Sequence, residues 1–195
     1  FDIASTSGFK ITGAANDKLG VSIAGAGDVN GDGLADVMVS SPFELGTAGG
    51  AVYVVYGNSS GSVLDIDLYS SSGVIAASRG FKITSALASD QLGRSPGGIA
   101  SAGDINGDGL SDIVVQASNL TTSYVVYGST RSPGSMALSS LTASTAGFKI
   151  TSLTNLDAGS LSVVGDVNGD GYDDMVTTAT QGTSADRSVF VVFGQ

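Results

Sequence analysis

The 195-residue chain contains no cysteine, no histidine and no tryptophan. Without Cys or His there is no thiolate nucleophile, no imidazole base and no zinc site built on either residue. Disulfides are excluded too, and a chain of this length does not need them to bury a core. Charge is scarce, at 13% of residues, and of one dominant sign: eighteen acids against eight bases, for a net charge of -10. Such a surface repels nucleic acid and anionic membrane and attracts cations. Glutamate is almost missing, since seventeen of the acids are Asp and Glu44 stands alone. Asp favours turns and metal loops, where Glu favours helices. No apolar run approaches the ~18 residues of a membrane-spanning helix, so membrane insertion is not expected. Nothing at Phe1 reads as a signal peptide, and the sequence opens without Met, as an excised or processed segment would.

Glycine is plentiful instead, with 29 residues, and alongside Ser, Thr and Val it makes the chain read as mostly β. Internal repetition dominates. Gly-Phe-Lys-Ile-Thr begins at Gly8, Gly80 and Gly147. Asp-x-Asn-Gly-Asp-Gly-x-x-Asp begins at Asp28, Asp104 and Asp166. An aromatic and valine run ending in Gly covers 52–57, 123–128 and 189–194. The order is the same each time, which divides the chain into three units at about 1–57, 58–128 and 129–195.

Each unit holds about four strand-like segments; in the first they fall at 9–12, 21–26, 36–41 and 51–56. The last two are continuous apolar runs, such as Val37-Met38-Val39 and Val52-Tyr53-Val54-Val55-Tyr56. A strand apolar on both sides is buried on both faces. A small sheet achieves this when stacked between copies of itself, which is the packing of β-propeller blades. The competing β-helix has shorter repeats, on the order of 20 residues. The link at 58–79 is Ser- and Gly-rich, reads as rim loop, and contains Asp65-Ile66-Asp67-Leu68, which lines up with Phe1-Asp2-Ile3 and loosely with Ala137-Leu138.

The nine-residue loops carry the sharpest chemistry. The first presents Asp28, Asn30, Asp32 and Asp36, the second Asp104, Asn106, Asp108 and Asp112, the third Asp166, Asn168, Asp170 and Asp174. Ca²⁺ takes six to eight oxygens at about 2.3–2.6 Å. Oxygens at positions 1, 3 and 5 of a tight loop converge, and Gly at 4 and 6 supplies the positive φ that wraps the chain. The carbonyl at position 7 (Leu34, Leu110, Tyr172) and the carboxylate at 9 would complete the shell. The loop matches the first nine positions of an EF-hand, but Val39, Val115 and Thr177 stand where the twelfth-position Glu would be. An Asx turn within a hairpin is the other reading of one such loop. Three copies at matching places favour the metal, and about three Ca²⁺ per chain would bring the charge from -10 to -4.

With these residues the three units resemble FG-GAP repeats, the blades of integrin α-subunit propellers and of many bacterial surface proteins. The Phe-Gly marker reads Leu19-Gly20, Leu92-Gly93 and Ala158-Gly159 here; the Gly-Ala-Pro marker reads Ser40-Ser41-Pro42, Gln116-Ala117-Ser118 and Thr178-Ala179-Thr180. Both are degraded, while the Asp loop and the aromatic strand match. The resemblance implies all-β propeller blades, three four-stranded antiparallel repeats, with Ca²⁺ held between the first two strands of each. It also implies that Phe-Lys-Ile-Thr is the outer strand of the preceding blade. The third unit then lacks an outer strand and the first copy of the motif lacks a blade, so three repeats make an incomplete ring. A head-to-tail neighbour, or the remainder of a longer polypeptide, would satisfy both ends.

Other features read as structural. Lys10, Lys82 and Lys149 share one repeat position and suit an outermost strand, where Lys blocks edge pairing. The tyrosines Tyr53, Tyr56, Tyr124 and Tyr127 recur at core positions. Adjacent Asp173 and Asp174 point to opposite faces of a strand and make no acid–base pair. Asn58 and Asn119 head glycosylation sequons. No catalytic constellation emerges. The expectation is a calcium-binding extracellular or cell-surface propeller segment in adhesion or surface structure, meeting a protein or glycan, self-associating or completed by the remainder of a longer chain, and not an enzyme. A lectin-like propeller and a non-catalytic part of a larger secreted hydrolase are the alternatives.

Overall fold

The apolar runs set the sheets. The computed structural model describes residues 8–44, 49–59, 65–68, 71, 73–95, 97–117, 122–141, 145–151, 162–180 and 187–195. In chain order the strands are β1 (Ile11–Thr12), β2 (Ile23–Gly27), β3 (Asp36–Ser41), β4 (Ala51–Val55), β5 (Ile66–Asp67), β6 (Gly80–Thr84) and β7 (Ile99–Gly103). They continue as β8 (Asp112–Ala117), β9 (Thr122–Val126), β10 (Ser135–Ala137), β11 (Gly147–Thr151), β12 (Ser162–Gly165), β13 (Asp174–Thr180) and β14 (Arg187–Val192). A 3-10 turn spans Leu138–Ser140.

The strands form three blades without a closed ring among the described residues. The second blade is the expected antiparallel four, β7-β8-β9-β11. The first runs β2-β3-β4-β6 and adds β10 in parallel outside β6. The third has β12-β13-β14. The innermost strands β2, β7 and β12 lie side by side, β7 between the other two. Their small residues, Ala24-Gly25-Ala26 and Ala100-Ser101-Ala102, let the blades converge.

The first and second blades take their outer strand from the next unit, as the resemblance implied. Val54 lies opposite Phe81 and Val55 opposite Gly80; Val125 lies opposite Phe148 and Val126 opposite Gly147. The first copy of the motif is not solitary. β1 pairs in parallel with β5, Ile11 opposite Ile66, in the register that sets Ile83 opposite Met136 between β6 and β10. This ribbon packs Phe9, Ile11, Ile66 and Leu68 against Ala51, Tyr53 and Val55 of β4.

The cores lie between sheets. Met38, Val52 and Val54 meet Ile113, Val115 and Tyr124 across the first junction. Ile105, Val114 and Val125 meet Met175 across the second. This is why β3, β4, β8 and β9 are apolar on both faces, and each such side chain contributes roughly 1.5–3 kcal/mol by leaving water. One lysine departs from the edge-blocking role. β10 covers β6, and Lys82 turns to the buried carboxylate of Glu44, which also accepts from the Tyr53 hydroxyl at 2.7 Å. Burial and then Glu44 push the Tyr53 phenol upward from its usual range. Lys10 keeps an exposed position, 3.9 Å from Asp65.

Candidate functional site

The three Asp loops join β2 to β3, β7 to β8 and β12 to β13, so they line one end of the blade array. Gly31 and Gly33 have φ of 77° and 83°, Gly107 and Gly109 72° and 85°, Gly169 and Gly171 79° and 93°. These left-handed turns aim the loop amides inward. Asp28 Oδ1 accepts from the amides of Gly31 (2.7 Å) and Asp32 (3.1 Å), and its Oδ2 from Gly33 at 2.8 Å. Asp104 accepts from Asp108 and Gly109, and Asp166 from Gly169, Asp170 and Gly171. At positions 3 and 5 the pattern repeats: Asp32 N donates to Asn30 and Leu34 N to Asp32, each at 2.9 Å. Asn106 with Asp108, and Asn168 with Asp170, make the same Asx turns, which reach Leu110 and Tyr172. Amide donation holds the exposed Asp166 carboxyl below the usual carboxylate range, the Gly171 bond contributing most.

Position 9 has a second task. Asp36, Asp112 and Asp174 are buried, and each carboxylate bridges two amides. Asp36 takes Val29 N at 2.9 Å and Gly57 N at 2.8 Å. Asp112 takes Ile105 N at 3.0 Å and Gly128 N at 2.8 Å, and Asp174 takes Val167 N at 2.8 Å and Gly194 N at 2.9 Å. The carboxylate thus staples its loop to the end of the third strand of its blade. Among the described residues no group of three or more acidic side chains closes into a ready cation cage. The donor set nevertheless fits a hard cation. It is all oxygen, and a carboxylate oxygen that accepts one amide keeps a second lone pair.

Burial raises Asp36 and pushes Asp112 up to about 7, against its two amide bonds and with help from the neighbouring loop carboxylates. The folded chain therefore prefers neutral Asp112, while the unfolded chain ionises near ~3.9. That contribution to stability is complete below about pH 4 and lost as pH rises through 7. Asp166, shifted the other way, loses its own contribution only when the pH falls into the acid range below the unfolded value. In excess EDTA the melting temperature should rise between pH 7 and pH 5. A flat or falling profile across that window would contradict the burial of a protonatable carboxyl.

The loops are also the joints between blades. Ser111 N donates to Asp28 O at 2.9 Å and Ser129 N to Val29 O at 2.8 Å. At the next joint Asp173 N donates to Asp104 O at 3.1 Å and Gln195 N to Ile105 O at 3.0 Å. Asp173 also returns its carboxylate to Asp104 N at 2.9 Å. The position-7 side chains, expected only to offer carbonyls, cap the preceding loop. Leu110 packs so that a Cβ on Gly31 would come within 3.0 Å of it, and the Tyr172 ring leaves no room for one on Gly107. The repetition of an apolar residue after the second loop glycine was the signal for this. Of the remaining expectations, Asn58 lies in exposed loop, while Asn119 and Ala158-Gly159 fall outside the described residues.

Blades of this build, with an Asp loop between the first two strands and an outer strand borrowed from the next repeat, define a β-propeller-type repeat protein. The chain carries FG-GAP repeats: the FG-GAP repeat family model matches residues 19–55 and 158–192, in the first and third units. The middle unit repeats the same loop bonds and strand order. No curated protein matches the chain in sequence.

Proposed function

We propose that the chain is a non-catalytic, calcium-stabilised propeller segment of an extracellular or cell-surface protein, with a role in adhesion or surface structure. The observation that carries the reading is the placement of three all-oxygen Asp loops at one end of the blade array, the first two of them at blade joints. Asp28, Asn30 and Asp32 with the Leu34 carbonyl would hold one ion, and Asp36 would face it from the staple. Asp104, Asn106, Asp108, Leu110 and Asp112 would hold a second; Asp166, Asn168, Asp170, Tyr172 and Asp174 a third. Three ions there would offset six of the nine charges on the clustered carboxylates and stiffen the loops. Extracellular calcium is millimolar, which suits loops without a twelfth-position Glu. No helix among the described residues is long and apolar enough to cross a membrane.

The test is a calorimetric Ca²⁺ titration at pH 7 and pH 4.5. About three ions should bind at pH 7, and affinity should fall at pH 4.5 as protons compete for the carboxylates. Asp32→Ala, Asp108→Ala and Asp170→Ala should each remove about one ion. No binding at millimolar Ca²⁺, or equal affinity at both pH values, would rule the carboxylate site out.

A further inference from the structure

The two ends of the blade array differ in the charge they expose. β2 and β7 run into Asp loops, so the turns that enter them, and the turn that leaves β3, lie at the other end. Asp17, Glu44 and Asp90 belong to that end, and all three are buried and engaged. Asp17 accepts from the Ala14 amide at 3.1 Å, and Asp90 from the amides of Ala86 and Leu87 at 3.0 and 2.8 Å. Glu44 accepts from Lys82 and Tyr53. Lys18 and Arg94 stand exposed beside them. Lys10 and Lys82 have acidic partners, but among the described residues Lys18 and Arg94 form no ion pair. In a chain of net charge -10, this joint therefore presents cations to solvent.

Both cations close on one half-buried ring. Lys18 Nζ lies 4.9 Å and Arg94 Cζ 5.7 Å from the centroid of Phe43. Backbone bonds fix the first turn to β3 and its exit: Gly20 N donates to Ser40 O at 2.8 Å and Phe43 N to Asp17 O at 3.2 Å. The second turn presses on the same strand, since a Cβ on Gly93 would come within 2.7 Å of Ser40 Cβ. Gln91 accepts from Arg94 Nη1 and orients the guanidinium. The backbone is strained here as well. Among the described residues Asn16, Lys18 and Gln91 are the non-glycine residues with positive φ, at 72°, 54° and 47°. Such strain gathers where a fold must present particular side chains. The blade repeat does not require them. Gln91 stands in the second unit where the first has Lys18, Val21 in the first where the second has Arg94, and Asn119 in the place of Phe43.

We propose that Lys18, Arg94 and the Phe43 ring form a docking site for a carboxylate on a partner protein, an acidic side chain carried on an exposed segment. A guanidinium beside a ring keeps its N–H fork for a carboxylate, and an ammonium brings three donors. The phenyl ring offers apolar contact to the stem of the incoming side chain or to its neighbours. Two cations about a single ring match one carboxylate. A polyanion such as nucleic acid or a sulfated glycan needs a longer basic stripe, and the net charge repels it. The inference rests on the side chains of this joint and not on calcium.

Amide NMR spectra of the 195-residue chain, titrated with a short peptide carrying one glutamate between leucines, test it. The amides of 17–20, 43–44 and 91–94 should shift as millimolar peptide is added, and the glutamine version of the peptide should leave them in place. Raising the salt from about 0.1 M to about 1 M shortens the screening length from ~10 Å to ~3 Å and should weaken binding several-fold. Lys18→Gln and Arg94→Gln should each weaken it roughly fivefold, the value of one exposed charge pair, and together they should abolish the shifts. Absence of shifts at these residues, equal shifts with the glutamine peptide, or shifts that persist in the folded double variant overturn the proposal. So does a sulfated oligosaccharide that moves the same amides where the glutamate peptide does not, because the site then serves a glycan. If the double variant fails to fold, the comparison of the two peptides on the unaltered chain still decides. Each result is read independently of the Ca²⁺ titration.

Discussion

Gly147→Ala should strip β11 from the second blade. Gly147 has φ of 133° and lies opposite Val126, and a Cβ there would overlap the Val125 carbonyl oxygen. The conformation is essentially reserved for glycine, and forcing another residue into it costs about 1–3 kcal/mol before any clash is counted. Relief comes only by moving the strand, which breaks its ladder with β9 and uncovers Val125. A total near 3 kcal/mol or more is expected, a melting-point drop of roughly 10 °C for a chain of this size. Gly80→Ala should behave alike, since its Cβ meets the Val54 carbonyl. Hydrogen exchange should then locate the lost protection in 147–151. A variant within about 0.5 kcal/mol of the parent would show that the strand does not pack as described.

Asp112→Ala and Asp108→Ala should separate folding from ion binding within one loop. Removing Asp112 leaves the buried amide of Ile105 and the half-buried amide of Gly128 without an acceptor. Each orphaned amide costs ~1–3 kcal/mol, so the variant should lose about 2–6 kcal/mol at pH 5, where no ionisation penalty offsets the loss. At pH 8 the deficit should shrink, because the parent then bears the cost of a buried carboxylate whose pKa lies near 7. Asp108 is exposed, and without calcium its removal should cost about 0.5 kcal/mol or less. In calcium the same change should cost one ion. Urea melts in EDTA and in Ca²⁺ at both pH values make the comparison. Equal losses for the two variants in EDTA would refute the staple.

Much of the architecture was legible because the repeat wrote it three times. Val52 to Tyr56 and the run at 123–127 announced strands buried on both faces, whereas the third copy forms β14 with Val189 and Val191 exposed; Gly-Phe-Lys-Ile-Thr at Gly80 and Gly147 marked borrowed outer strands. What stayed hidden has physical causes. Ser135-Met136-Ala137 carries no apolar run, because β10 covers only the rim of its blade and buries little, so its parallel pairing had no hydrophobic signature. The ion pair of Glu44 with Lys82 joins residues far apart in sequence. The second task of Asp36, Asp112 and Asp174 was invisible because an aspartate reads the same whether it faces a cation or two amides. Leu34, Leu110 and Tyr172 were read for their carbonyls, but the side chains of Leu110 and Tyr172 act across a junction that no single repeat contains.

The parallel strand β10 changes how far a disturbance travels along this chain. In an ordinary repeat array each module feels its immediate neighbours, and stability follows a nearest-neighbour sum. Here the first blade takes β2, β3 and β4 from the first unit, β6 from the second and β10 from the third. The thermodynamic coupling therefore reaches two units along the sequence. Excising one repeat would leave gaps in sheets it does not head, and melting spreads across the array as one cooperative event rather than fraying unit by unit.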